Sequence, residues 1–361
     1  MRLLSGVVGI LVLVFAFTSV TRDLITPRAT RSALPRAVRT VVRCGYQFIA
    51  DRTSTEQFKD RVLAPASPVA MLVLLLIWLT LFVFGYGLLE FALSRMPLDI
   101  ALREAGSSVL TLGFASDARS QLTFVDFLAA ATGPIVIGLQ IGYLPTFYAA
   151  YARRESDVSM LRSRTGVPAW GPQLLARHAQ LHALDTLPDL FRDWERWSAE
   201  VAESHANHPA LIHFRSPSWE RNWLLSLLAV LDAGALYLAF NPSASPHQLR
   251  VTLRAGATCL QELADEEHIP YNSGPGPGAD DTIRLTYGEF LQGAARLREH
   301  GVPMERTPEQ AWTHFRSWRA HYESAAYALA LRIDAVPAPW SGPRRRVRAG
   351  ARGRQGRSAL V

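Results

Sequence analysis

The sequence predicts an all-α membrane protein with three transmembrane helices, a re-entrant loop and an all-α cytoplasmic domain. Two runs, residues 70–89 and 124–150, are apolar over the roughly 20 residues that a helix needs to cross a hydrocarbon core. A third run, residues 3–20, carries no charge. Beyond residue 165, apolar residues recur at helical rather than alternating spacing, which indicates a helical domain.

The amino-terminal run, residues 1–20, is predicted to be a transmembrane helix. A cleaved secretory signal is the alternative, because both have an early basic residue followed by an apolar stretch. The run is long for a signal, and the residues from Phe15 to Val20 followed by Arg22 make a poor cleavage site. We therefore expect an uncleaved helix or signal anchor.

The loops predict the orientation of these helices, since basic loops stay on the cytoplasmic side. The cytoplasmic loop at 21–65 has nine basic and four acidic residues, whereas the 94–123 loop has three of each. Four arginines between residues 153 and 164 follow the last span. The consistent topology places the amino terminus outside, the 94–123 loop outside and residues 152–343 in the cytoplasm. We expect a multi-pass protein of the cell (cytoplasmic) membrane, and the scarcity of lysine favours a bacterial source.

The cytoplasmic loop contains an amphipathic segment at residues 33–49. Leu34, Val38 and Val42 fall on one helical face, and Arg36 and Arg43 fall on another. Such a helix is typical of a membrane surface, with its arginines among anionic lipid headgroups. An ordinary helix packed on the large domain is the alternative.

The outer loop, within the stretch 95–123, begins like a short helix and continues into a glycine-containing segment. Pro97 and Asp99 are favourable helix-start residues. A short helix that dips into the membrane aims its partly negative carboxyl end at the centre, where a cation would rest. Backbone carbonyls of the returning segment then replace the hydration shell of the ion. We expect that segment to be extended, and Gly113 suits it because a side chain there would restrict the backbone.

Between its two flanking spans (outer helix 66–94, inner helix 124–151), this loop resembles the pore loop of the potassium-channel superfamily. The sequence Thr111-Leu112-Gly113-Phe114-Ala115 aligns with the T-V-G-Y-G selectivity filter of that family. The resemblance covers about 90 of the 361 residues. It implies that these residues supply carbonyl ligands to K⁺ as the permeant ion, with the hydroxyl of Thr111 at the inner end of the filter. It also implies that four chains assemble into a homotetramer. Ala115 stands where the family has a second glycine, and this departure bears on strict potassium selectivity.

The span that follows has the glycines and prolines of a helix that bends. We expect a gating hinge at one of these positions, with Gln140 facing a cavity; close packing of helices through small residues is the alternative. Glu90, at the outer end of the preceding span, needs a partner, either behind the filter or at the membrane interface. The hinge or gate candidates are Gly133, Pro134, Gly138, Gly142 and Pro145.

The cytoplasmic domain, residues 152–343, is predicted to be entirely helical. Capping boxes beginning at Ser245, Thr286 and Thr307 each precede an apolar periodic stretch. The nearly all-apolar run at 223–240 is predicted to be the buried central helix of this domain, and a fourth span is the alternative. Asp232 in its middle argues against a span, because a charge at the centre of a bilayer costs about 3 kcal/mol.

All ten histidines lie in this domain, which raises the question of a metal site. Glu203, His205 and His208 have ligand-like spacing and are weak metal candidates, against the alternative of ordinary surface or core histidines. Neither a nucleophile motif nor a phosphate-binding glycine loop is present. We therefore predict a protein that is not an enzyme and has no cofactor, with a membrane-tethered metal-dependent hydrolase as the remote alternative.

The net positive charge of the chain comes from its carboxyl-terminal residues. Residues 344–361 contain seven arginines and no acidic residue, which equals the whole formal net charge of +7. The rest of the chain is neutral, so we predict no nucleic-acid partner. We expect a disordered arm that either contacts anionic headgroups or only solubilises the protein. The two cysteines, Cys44 and Cys259, lie far apart in the predicted organisation and form no disulfide framework.

The sequence thus predicts a tetrameric cation channel with a cytoplasmic domain for assembly or gating. A non-conducting membrane-anchored scaffold or sensor that retains the pore-loop architecture is the alternative, and Ala115 is the residue that favours it.

Overall fold

The computed structural model describes residues 1–26, 33–53, 55–94, 96–114, 120–244, 246–272 and 283–342. Within these ranges the regular structure is helical, without strands, as predicted. The chain forms two compact units. The first contains residues 1–52 and 62–149, and the second contains residues 53–61 and the chain from residue 150 onward.

The first unit consists of four helices and most of a fifth. Its core contains aromatic and aliphatic residues such as Trp78, Phe82 and Val109, while many large apolar side chains face outward. An outward apolar surface on long apolar helices is what a lipid environment requires. The helices are α1 (Arg2–Leu24), α2 (Ala33–Ala50), α4 (Ala66–Leu93), α5 (Leu98–Val109) and the greater part of α6 (Ser120–Thr165).

Helices α1 and α4 pack antiparallel through a glycine contact. A Cβ on Gly9 would lie 2.8 Å from the carbonyl oxygen of Gly85. Ten residues further along α1, Ser19 accepts a hydrogen bond of 3.0 Å from the indole of Trp78, which precedes Gly85 in α4. Small residues permit this close approach of two backbones, a common device among membrane helices.

Helix α2 is the predicted amphipathic segment. Its buried residue Val38 joins the core of the first unit, with Leu34 and Val42 packed partly against it. It therefore packs within the first unit. Val41 and Phe48 on the adjoining face remain mostly exposed.

Helix α6 is continuous from Ser120 to Thr165, through both Pro134 and Pro145. One stripe of its residues, Val125, Ala129 and Val136, belongs to the core of the first unit. The prolines lie on the opposite, exposed face, and α6 continues through them although each lacks an amide hydrogen to donate.

The second unit is a helical domain built around α9 (Trp223–Phe240). All residues of α9 are buried except Tyr237. Short 3₁₀ turns lie at Leu184–Thr186 and Pro209–His213. The remaining helices are α3 (Glu56–Leu63), α7 (Gly171–Gln180), α8 (Leu187–Asn207), α10 (His247–Glu266), α11 (Tyr287–Glu299), α12 (Pro308–Arg319) and α13 (Glu323–Ile333).

Four described helices are long and apolar enough to cross a membrane: α1, α4, α6 and α9. Only the first three present wide apolar faces, because α9 is enclosed by helices of its own unit. The predicted burial of the 223–240 run is therefore confirmed.

Two of the three predicted capping boxes are present. Thr286 and Glu289 cap α11 reciprocally, and Thr307 and Gln310 do the same for α12. Ser245 of the third, together with Ala115 and the arginine-rich tail, lies outside the described residues.

Candidate functional site: the α5 helix and its carboxyl end

The short helix α5 lies against α4 and runs back along it. A Cβ on Gly87 would approach a methyl carbon of Leu102 to 2.7 Å, and one on Gly106 would lie 3.7 Å from a methyl carbon of Val83. Later residues of α5 thus contact earlier residues of α4, so the two helices run in opposite directions. At 1.5 Å per residue, α5 covers about 17 Å along this path.

The carboxyl end of α5 meets α6 at Gly133. A Cβ on Gly133 would lie only 1.8 Å from the carbonyl oxygen of Val109. Only a glycine can occupy that position with this backbone arrangement. Gly133, predicted as a hinge candidate, is therefore a point of close contact between α5 and α6 in an unbroken helix.

Helix α5 ends in a Schellman motif centred on Thr111. The amide of Leu112 donates to the carbonyl of Ser107 at 2.8 Å, and the amide of Thr111 donates to Ser108 at 3.0 Å. Thr111 consequently has a φ of 55°, in the left-handed region that this motif requires. We expected an extended segment here. The structure has a turn at Thr111 because the α5 carbonyls are capped by the residues that follow them.

The other predicted filter residues follow immediately. Gly113 has a φ of 70°, which suits a residue without a Cβ. The side chains of Leu112 and Phe114 are exposed, and the guanidinium of Arg103 lies 5.3 Å from the centre of the Phe114 ring. Thr111 to Phe114 are thus together at the tip of α5, and Ala115 falls outside the described residues.

Behind α5 the structure brings carboxyl groups of three helices together. Glu90 of α4 is fully buried, beside the backbone of Ala105 and in electrostatic contact with Glu104 of α5 and Asp126 of α6. Of the two placements expected for Glu90, this position between helices matches the one behind the predicted filter. The reason is that α5 covers the last turns of α4, so this carboxyl lies between helices.

The other hinge candidates lie on the open face of α6. A Cβ on Gly138 or Gly142 would have no neighbour within 4 Å, and Pro134 and Pro145 are exposed. Gln140, expected to face a cavity, instead lies on the packed face and is buried. At 100° per residue it falls on the same stripe as Val136, which belongs to the core.

The metal candidates of the second unit do not form a ligand set. Glu203 accepts a hydrogen bond from Asn207, one turn later on α8. The Nε2 atom of His205 is 3.1 Å from the guanidinium of Arg154, a permanent cation that leaves this nitrogen only the role of acceptor. Within the described ranges, no group of three or more His, Cys, Asp or Glu side chains is placed to hold a metal ion.

Arg154 is a buried hub that sequence reasoning missed. It follows the apolar part of α6, and its guanidinium donates to the carbonyls of Leu211 at 2.8 Å and Phe214 at 2.7 Å and to Glu155. Burial, and then the charge of Arg154, lowers the pKa of His205 well below its ordinary value. His205 is therefore neutral in the fold. In the sequence, Arg154 is one of four arginines that follow the last apolar run, and that pattern does not mark it as a buried donor.

A second buried charge network surrounds Asp232. Its carboxylate accepts from the guanidinium of Arg319 and from the hydroxyl of Tyr322 at 2.8 Å. Arg319 also donates to Glu323 at 2.8 Å, so one cation serves two carboxylates. Burial raises the pKa of Asp232 to about 6, while Arg319 and Tyr322 act in the opposite direction. A carboxylate inside an apolar helix demands such a partner, but the sequence offers many arginines and does not say which.

Comparison with known proteins leaves the chain without a match to any family model, curated protein or solved structure. The fold itself defines the class: an all-α protein whose long apolar helices mark it as a membrane protein.

Proposed function

We propose that this chain is a subunit of a homotetrameric cation channel of the cytoplasmic membrane, with K⁺ as the expected permeant ion. The proposal rests most on one observation: α5 runs back along α4, and its carboxyl end meets α6 at Gly133. Gly133 is 13 residues beyond the start of α6, about 20 Å along the helix. In a membrane with an apolar core about 30 Å thick, the tip of α5 would therefore lie well below the surface of that core.

In this arrangement α1, α4 and the first part of α6 are the three spans. The antiparallel packing of α1 on α4 supports the topology expected from the loop charges, because it puts residues 2 and 93 at the same end of the pair. The second unit then lies in the cytoplasm, as an assembly or gating domain. Anionic headgroups would meet the basic side of α2 and the arginine-rich tail.

The carboxyl end of α5 would stabilise a cation on the axis of four such subunits. Its last carbonyls carry roughly half a negative charge. The Schellman motif uses the carbonyls of Ser107 and Ser108, whereas the carbonyls of Leu112 and Gly113 accept no bond among the described backbone contacts. Carbonyls of this kind are the ligands that a potassium site requires.

A non-conducting scaffold or sensor with the same architecture is the second candidate. The left-handed backbone at Thr111 favours it, because a β-branched residue rarely adopts this conformation and the turn interrupts an extended run of carbonyls. The two candidates differ in one requirement: a channel needs the turn at Thr111 to become extended when the subunits assemble, whereas a scaffold or sensor does not.

The number of subunits tests the proposal. Each chain has one such loop and supplies a quarter of a four-fold filter. Mass photometry of the purified protein in nanodiscs should give four chains per particle. A monomer or a dimer would exclude the channel.

A further inference from the structure

A short stretch between the two apolar regions of the chain belongs to the second unit. Residues 53–61 are part of that unit, although the chain on either side of them is part of the first. They include most of α3, which ends at Leu63, and α4 begins at Ala66. Two residues therefore separate α3 from the start of α4.

Two buried ion pairs hold α3 in the second unit. The ammonium group of Lys59 is 2.9 Å from the carboxylate of Asp334, with side chains that are 11% and 3% exposed. Asp60 pairs with Arg215, and both side chains are 11% exposed. Pairs buried to this degree are costly to break, because the loss of one partner leaves the other as an uncompensated buried charge.

The segment that contains Arg215, the partner of Asp60, also contacts α6. Residues 211–215, here named the 211–215 segment, include Leu211 and Phe214, whose carbonyls accept from Arg154 of α6. Tyr151, one turn before Arg154, donates its hydroxyl to the carbonyl of Arg215 at 3.0 Å. Arg215 therefore contacts α6 through its backbone and α3 through its side chain.

Arg215 also fixes the segment to the end of α13. Its guanidinium donates to the carbonyls of Ile333 at 3.0 Å and Asp334 at 3.1 Å. Asp334 has a left-handed backbone with a φ of 52° and is the partner of Lys59. The end of α13, α3 and α6 thus share one polar junction inside a single compact unit.

We propose that the 211–215 segment is a coupling clamp, which joins α3, just before α4, to the part of α6 that belongs to the second unit. A rearrangement of the helical domain at this segment is passed to both spans at once, because α3 is two residues from α4 and Arg154 lies within α6 itself. This role rests on the proposed channel function, in which α4 and α6 flank the pore loop. The transmission of motion, however, is a property that is measured without ion flux.

Spin-label distances test the clamp directly. One pair of labels, at the exposed positions Gln57 and Ser156, reports whether α3 and α6 are held together. A second pair, at Leu72 of α4 and Ile141 of α6, both largely exposed, reports on the spans. Labels are placed in a Cys44→Ser background, since Cys44 is exposed and Cys259 is buried. Labelled chains are diluted with unlabelled ones so that distances within one chain dominate.

Arg215→Gln and Asp60→Asn break the clamp, and Arg192→Gln is the matched control because its ion pair with Asp189 is exposed. We expect one narrow distribution for the first label pair in the wild type and the control. In both clamp variants this distribution should broaden at least twofold, and the second pair should change with it. Asp60→Asn keeps the size of the side chain, so it serves as the folded test variant if Arg215→Gln fails to fold.

Two results would overturn the clamp. In the first, the Gln57–Ser156 distribution stays narrow in folded Asp60→Asn protein. In the second, it broadens while the Leu72–Ile141 distribution is unchanged. Absence of ion flux in the wild type would instead count against the channel alone, because the two label pairs decide the clamp without it.

Discussion

The carbonyl oxygen of Val109 lies 1.8 Å from the point where Gly133 would carry a Cβ. This relationship places the end of α5 against α6, and with it the candidate filter residues. It also gives Gly133 a role other than that of the hinge candidate that the sequence predicted. Here the absence of a side chain permits contact between helices in an unbroken α6.

Replacing Gly133 by alanine should displace α5. The new methyl group cannot coexist with the Val109 carbonyl, and overpacking of this kind costs about 1–3 kcal/mol. We expect the thermal unfolding midpoint of the protein in detergent to fall by several degrees. Gly138→Ala is the control, because a Cβ at that position has no neighbour within 4 Å. Equal midpoints for the two variants would contradict the described packing of α5.

Replacing Thr111 by glycine should separate stability from function. Thr111 has a φ of 55°, which is costly for a residue with a Cβ, and we expect Thr111→Gly to stabilise the protein by about 0.5–1 kcal/mol. The same change removes the hydroxyl that the resemblance assigns to the inner end of the filter. Cation flux should therefore fall at least tenfold. A conducting Thr111→Gly protein would remove Thr111 from the ion pathway.

Removing the carboxylate of Asp232 should destabilise the second unit strongly. Asp232→Ala leaves Arg319, which is fully buried, with one of its two carboxylate partners, and breaking a buried pair costs about 3–5 kcal/mol. Asp189→Ala is the matched control, since its pair with Arg192 is exposed and worth less than about 1 kcal/mol. Chemical denaturation followed by tryptophan fluorescence measures both. A loss below about 1 kcal/mol for Asp232→Ala would contradict the network.

His205 should make the protein less stable in mild acid. Its pKa is lowered in the folded state, so the unfolded chain binds the proton more readily and stability is lost as the pH falls below about 6.5. Between pH 7.5 and 5.5, this single group accounts for a loss on the order of 1 kcal/mol. His205→Gln keeps an acceptor for Arg154 and should lose that much less than the wild type. Asp232, whose pKa is raised, acts in the opposite direction in both proteins and cancels in the difference. Identical losses in the two proteins would contradict a neutral, buried His205.

Much of the fold could be predicted from local signals. The apolar runs became α1, α4 and α6, the capping boxes at Thr286 and Thr307 started their helices, and the 223–240 run became a buried helix. Each of these depends on residues close together in the chain: apolar length, a cap or a periodic stripe.

The remaining features depend on contacts between distant residues. Nothing local distinguishes Arg319, which pairs with Asp232, from the half-buried Arg306 and Arg316 that precede it. The same holds for Arg215, which reaches Asp60 from 155 residues away. The turn at Thr111 had a local cause, because the carbonyls at the end of α5 require capping, but the expected extended segment left that requirement out.

Uptake of rubidium ions into proteoliposomes tests the proposed channel most directly. The wild-type protein and Gly45→Ala, a change on α2 where a Cβ meets nothing within 4 Å, should both give uptake above that of empty vesicles. Gly113→Pro should give none, because proline cannot adopt the positive φ of 70° found at this position. Folded, tetrameric wild-type protein that takes up no rubidium, or Gly113→Pro protein that takes up as much as the wild type, would contradict the assignment of α5 and residues 111–115 to an ion pathway.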